Sequence, residues 1–63
     1  MYILGEPPET QNEAYDALEN VFGSSEFSAQ EAIEVISNVL ETELTQAQTK
    51  FTTLLRAGHV EEV

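Results

Sequence analysis

The chain has 63 residues, of which 12 are acidic and two are basic, so its formal net charge is −10. It contains no cysteine, which excludes a disulfide framework and a thiolate zinc site. A chain this short predicts one small domain over residues 1–63, and its 41% hydrophobic content is sufficient for a small core. We find neither the basic start of a signal peptide nor an apolar run of about 20 residues, so we expect a cytoplasmic protein without membrane contact.

A first helix is predicted to begin at Thr10, because Thr10 and Glu13 have the spacing of a capping box. Its apolar residues recur at helical spacing and form one stripe: Ala14, Tyr15, Leu18, Val21 and Phe22. Gly23 follows this stripe at the position of a C-terminal cap glycine, so we expect the helix to end there.

The second helix has the clearest start in the sequence. Ser28 and Glu31 match a capping box, and Phe27 and Ala32 occupy the two positions of a hydrophobic staple around it. The helix is predicted to run to about Leu40. Seven apolar residues fall within an arc of roughly 160° on the helical wheel: Ala29, Ala32, Ile33, Val35, Ile36, Val39 and Leu40. This broad apolar face predicts the most buried of the helices.

A third helix is predicted after a tight connection, with Thr45 and Gln48 repeating the capping-box spacing. It should run to about Ala57 and end at Gly58, a second cap glycine. Its inward stripe is expected to contain Leu44, Ala47, Phe51, Leu54 and Leu55.

Strand-like sequence occurs only near the two ends, at Tyr2–Leu4 and Val60–Val63. A single short strand has no partner for its backbone groups, so we expect the two segments to pair with each other. The predicted fold is therefore mainly α, with three helices and a minimal two-stranded sheet built from the N- and C-terminal segments.

The run Glu43-Leu44-Thr45-Gln46-Ala47, followed by Phe51 and by Leu54-Leu55-Arg56-Ala57-Gly58-His59-Val60-Glu61, resembles the winged helix-turn-helix family. The resemblance covers residues 12 to 63 and implies that the third helix would be a recognition helix for DNA. The sequence departs from the family pattern because it has no segment for a second wing strand and only two basic residues. The resemblance therefore implies a winged-helix-like fold without a full wing more than it implies DNA binding.

The sequence contains few side chains in arrangements that would support catalysis. No serine has a recognisable histidine-and-acid arrangement, and the paired carboxylates fall on predicted helix exteriors. His59 is the sole histidine and is predicted to be a helix-cap or strand residue, since one histidine makes a poor metal site. We therefore expect no enzyme activity, no cofactor and no metal site.

The third helix is the first candidate binding surface. No acidic residue occurs between Leu44 and His59, and both basic residues lie in that window. The predicted outward residues are Gln48, Thr49, Thr52, Thr53 and Arg56. Gln, Thr and Arg can read base edges in DNA, and they serve a protein interface equally well. The plain alternative is an ordinary solvated face.

The second candidate surface is an acidic face on the second helix, formed by Glu31, Glu34, Asn38 and Glu41. Rows of carboxylates would suit a protein partner with a basic surface, and one version of this hypothesis is imitation of a nucleic acid. The plain alternative is an acidic surface that only keeps the protein in solution.

These observations predict a non-enzymatic binding module, regulatory or inhibitory, that contacts protein through the acidic helix faces or the third helix. The alternative in second place is a small winged-helix transcription regulator that binds DNA as a dimer, although the net charge disfavours DNA. A third interpretation is that this is an acidic protein adapted to high salt. The sequence leaves open whether the protein is a monomer or a homodimer.

Overall fold

The computed structural model describes all 63 residues. Its elements are, in chain order, β1 (Tyr2–Leu4), α1 (Glu13–Phe22), α2 (Ala29–Leu40), α3 (Leu44–Arg56) and β2 (Val60–Glu62). The predicted fold class is confirmed, because the chain is mainly helical and its N- and C-terminal segments form one two-stranded antiparallel sheet.

The sheet is short but is extended by hydrogen bonds at both ends. Tyr2 lies opposite Glu62, and Leu4 lies opposite Val60. Beyond this register, the Gly5 amide donates to the His59 carbonyl at 2.8 Å. The predicted second strand is one residue too long, since β2 ends at Glu62, although the Val63 amide still donates to the Met1 carbonyl at 3.0 Å.

The core lies where the three helices meet, with α2 packed against both α1 and α3. Ten buried side chains form one cluster: Ala14, Tyr15, Leu18, Phe27, Ala32, Ile36, Ala47, Phe51, Leu54 and Val60. The expectation that α2 is the most buried helix is wrong, because α1 contributes four buried residues and α2 contributes two. Several apolar side chains of α2 are only half-buried at the two helix interfaces, among them Ile33, Val35 and Leu40.

Only one of the three predicted capping boxes is present, the one at the start of α2. The Ser28 hydroxyl accepts from the Glu31 amide at 3.1 Å, and the Glu31 carboxylate accepts from the Ser28 amide at 2.9 Å. The prediction for Thr10 is wrong, because Asn12 caps α1 through its side-chain oxygen, 3.1 Å from the Tyr15 nitrogen. Asn is at least as good an N-cap as Thr, and here it stands two residues closer to the helix.

The prediction of a capping box at Thr45 and Gln48 is also wrong. Helix α3 begins at Leu44, with Glu43 as its N-cap and no side-chain capping bond. The short connection from α2 explains this early start. The Thr42 amide donates to the Ser37 carbonyl, and the Thr42 hydroxyl donates to the Gln46 side chain at 2.6 Å. These bonds hold the chain on a path that places Thr45 already inside the helix.

Three apolar residues that were predicted to face the core are instead exposed, namely Val21, Val39 and Leu44. Each lies on the correct side of its helix but in a terminal turn. None of the three belongs to the buried cluster or packs against it. The ends of the apolar stripes therefore remain in solvent.

Candidate functional site

The joint between α2 and α3 positions both candidate surfaces. Glu41 adopts a left-handed conformation with φ of 52°, which turns the chain sharply after α2. The Ser37 hydroxyl then donates to the Thr42 carbonyl at 2.6 Å. Ser37 is half-buried, and its hydroxyl stabilises this turn. As a result, α2 and α3 lie side by side and their outer faces adjoin.

All four residues of the predicted α2 face are exposed, namely Glu31, Glu34, Asn38 and Glu41. The Glu31 carboxylate already accepts a bond in the capping box, so part of its role is structural. The Glu34 carboxylate accepts a hydrogen bond from the side-chain amide of Gln30 at 3.3 Å. The chain has two Lys or Arg residues for 12 acidic residues. At least ten side-chain carboxylates would therefore have no Lys or Arg partner, even if each cation paired with one of them. The acidic face is thus available for an external cation.

The predicted α3 face is exposed at Gln48, Thr49, Thr53 and Arg56, whereas Thr52 is half-buried. Two of its hydroxyls are already engaged within the helix. Thr49 donates to the Thr45 carbonyl at 3.1 Å, and Thr53 donates to the Thr49 carbonyl at 2.9 Å. Because each hydroxyl has one proton, these threonines offer a partner only a methyl group and an acceptor oxygen.

A groove of about 360 Å³ lies between α2 and the first half of α3. Its lining is formed by Gln30, Ile33, Glu34, Leu44, Thr45 and Gln48. The groove brings together Glu34 from the predicted acidic face and Gln48 from the predicted acid-free face. It also contains Leu44, which is 58% exposed, and the half-buried Ile33.

Leu44 was assigned to the core by its helical spacing and was missed as an exposed residue, whereas Ile33 does pack against the core and also lines the groove. The position of Leu44 provides a signal that could have identified it. Side chains tilt towards the N-terminus of their helix, so a leucine in the first helical position leans past the end of the helix and away from the core.

A second depression of about 440 Å³ lies on the other side of α3, between this helix and the start of α1. Thr49, Lys50 and Thr53 line it, together with Asn12 and Glu13 from the start of α1. The predicted α3 face is therefore divided, since Gln48 borders one depression and the two threonines border the other. The structure does not combine the outward residues of α3 into one continuous site.

The His59 side chain makes contacts that hold neighbouring segments of the fold together. Its Nδ1 atom lies 2.7 Å from the Glu6 carbonyl oxygen, and its ring meets the Tyr15 ring edge-on with centroids 6.5 Å apart. Nowhere do three or more His, Cys, Asp or Glu side chains gather in an arrangement that could hold a metal ion.

None of the three helices has the length and apolar character needed to cross a bilayer. Comparison of the chain with protein-family models, with curated proteins and with solved structures finds no match.

Proposed function

We propose that this protein is a non-enzymatic binding module, regulatory or inhibitory, that recognises another protein through the outer faces of α2 and α3. The observation that carries the proposal is the α2–α3 groove, in which the exposed Leu44 and the half-buried Ile33 lie beside the Glu34 carboxylate. Mixed surfaces of this kind, with an apolar centre and a polar rim, are typical of protein interfaces. The excess of carboxylates favours a partner with a basic surface, in the manner of a nucleic-acid mimic.

Reversal of charge on each face separates their contributions. One variant combines Glu34→Lys with Glu41→Lys on α2. The other combines Thr53→Glu with Arg56→Glu on α3, where Thr53 is preferred to Thr52 because it is exposed. We expect at least one of these variants to lose the protein partner that the native chain recovers in a pull-down from a cell lysate.

The matched control is Glu9→Lys with Glu26→Lys, which changes the net charge as much as the α2 variant does but lies in exposed loops. It should retain the partner, and circular dichroism should report native helix content in all variants. If neither face variant loses the partner, or if the control loses it as well, recognition through these two faces is refuted.

A second candidate function is DNA binding as a winged-helix-type regulator, acting as a dimer. The order of α2, a short turn, α3 and β2 favours it, as does the presence of both basic residues, Lys50 and Arg56, on α3. The net charge of −10 opposes it, because two cations release few counterions from a phosphate backbone.

A mobility-shift assay with random and genomic duplex fragments at two salt concentrations distinguishes the two functions. We expect weak or absent binding at physiological salt. A tight shift that weakens as salt rises would replace the protein-binding proposal with the DNA-binding one.

A further inference from the structure

The geometry points to the α2–α3 groove as the docking site for a basic amphipathic helix of another protein, with one apolar side chain seated between Ile33 and Leu44. This inference rests on the proposed protein-binding function and assigns its location and the chemistry of its partner. The volume of the groove, about 360 Å³, lies at the small end of the range for ligand clefts, which is roughly 300–1,000 Å³. It suits a single side chain anchor better than a large ligand.

The apolar part of the groove favours an apolar anchor. Leu44 is 58% exposed at the first position of α3, and Ile33 is half-buried on the adjoining face of α2. An apolar side chain placed between them would remove the exposed surface of Leu44 from water, which is the main favourable contribution to such contacts. Gln30 and Gln48 on the rim can exchange hydrogen bonds with the backbone or side chains of the occupant.

The charge around the groove favours a basic occupant. Glu34 lines it, and Glu43 directly precedes Leu44 as the N-cap of α3. Neither basic residue reaches it, because Lys50 lines the depression on the other side of α3 and Arg56 lies about 18 Å further along the helix. The partial positive charge at the start of α3 is smaller than these two full negative charges.

Other occupants fit these observations less well. A second copy of the chain would bring another net charge of −10 against the same acidic rim. An added β-strand needs a free sheet edge, whereas this groove is bounded by two helices. A helix lying in the groove, with its apolar residues at helical spacing and lysines beside them, is the recognition mode that remains.

The test uses a synthetic Lys/Leu amphipathic helical peptide as the probe, with a peptide of the same composition in scrambled order beside it. Affinities are measured by fluorescence anisotropy, and chemical-shift changes in a ¹H–¹⁵N spectrum map the contact. We expect Leu44→Ala and Glu34→Gln each to weaken binding of the amphipathic peptide by roughly fivefold or more, because a few anchor residues carry most of the binding free energy of an interface. The largest shift changes should occur at Ile33, Leu44 and their neighbours in the groove.

Matched controls make the result specific. Val21→Ala removes an apolar side chain that is as exposed as Leu44, and Glu9→Gln removes one negative charge away from the groove. Both should change the affinity by less than about twofold. No binding of the amphipathic peptide, equal binding of the scrambled peptide, or equal weakening by groove and control variants would overturn the inference.

The test of the groove can fail independently of the pull-down test of the proposed function. If the α2 or α3 charge-reversal variant loses the pull-down partner while Leu44→Ala retains it, the groove is not the docking site but protein recognition through these faces stands. If neither charge-reversal variant loses the partner, the proposed function itself fails.

Discussion

Tyr2 and Phe27 exchange two backbone hydrogen bonds, in which the Tyr2 amide donates at 2.8 Å and the Phe27 amide donates at 2.9 Å. This bridge ties β1 to the residue that precedes the cap of α2. The side chains extend the connection, because the Tyr2 ring meets Phe51 edge-on at 5.3 Å and the Phe27 ring stacks on Phe22 at 4.6 Å. The N-terminal strand is thus held by the residue before the cap of α2 and by α3, as well as by β2.

Phe27→Ala should be one of the most destabilising single changes in the protein. Phe27 is fully buried, and removal of a buried aromatic side chain costs about 3–5 kcal/mol. Urea denaturation followed by circular dichroism measures this loss. Phe22→Ala is the comparison, and it should cost less because Phe22 is only half-buried. A loss below about 1 kcal/mol for Phe27→Ala would contradict its central position.

Two substitutions in α2 test where its apolar stripe leaves the core. Ile36→Ala should cost about 2–5 kcal/mol, because Ile36 is completely buried among the helices. Val39→Ala, one turn later and 57% exposed, should change stability by less than about 0.5 kcal/mol. Chemical denaturation of the two variants under the same conditions provides the measurement. Equal losses would mean that the end of α2 is packed in solution.

Gly5→Ala should destabilise the sheet by steric overlap. A Cβ atom at this position would lie 2.5 Å from the Gly58 carbonyl oxygen and 2.6 Å from the Glu61 carboxylate. The carboxylate can move away, but the carbonyl belongs to the backbone, so we expect a cost of about 1–3 kcal/mol. Thermal denaturation measures it. Adding Glu61→Ala should recover only part of the loss, and full recovery would show that the carbonyl contact is unimportant.

Tyr15 should make the protein less stable at alkaline pH. Burial of the side chain, followed by the negative charges of Glu19 and Asp16, raises the pKa of its hydroxyl above the ordinary value of 10.0. The unfolded chain therefore loses this proton first. The contribution of the un-ionised Tyr15 to the free energy of unfolding is complete below pH 10.0. It declines as pH rises through the pKa of Tyr15 in the folded state.

Urea denaturation of the native chain and of Tyr15→Phe, at neutral pH and at two pH values above 10.0, isolates this contribution. The alkaline decline should be smaller in Tyr15→Phe, which has no hydroxyl to ionise. This substitution also removes the 3.3 Å hydrogen bond to the Gly5 carbonyl, so the comparison uses the slope with pH and not the absolute stability. Identical slopes would refute the assignment to Tyr15.

The melting temperature should rise with added salt. Twelve acidic residues share a molecule 25 × 24 × 20 Å in size, so their mutual repulsion opposes the compact state. The screening length falls from about 10 Å at 0.1 M to about 3 Å at 1 M salt, which relieves most of this repulsion. Glu9→Gln with Glu26→Gln should raise the melting temperature in low salt and have less effect in high salt. Melting curves that coincide at both salt concentrations would exclude repulsion as a significant destabilising force.

Capping illustrates how far local sequence predicts local structure here. Three segments carry the spacing of a capping box, yet only Ser28 and Glu31 form one. In α1 a better-placed Asn12 provides the cap, and at α3 the bonds of the α2–α3 connection start the helix before Thr45. A spacing rule identifies groups that are able to bond, but competing neighbours determine which of them do so.

The sequence alone determined the number and order of the elements and the pairing of the terminal strands. It also determined the angular position of each apolar stripe, because helical periodicity and cap residues are local properties of the chain. Only the tertiary structure decided how far along each helix that stripe is buried, since this depends on where the other helices end. Leu44 has the spacing of a core residue, but it lies in the first turn of α3 outside the buried cluster, and so it borders an exposed groove.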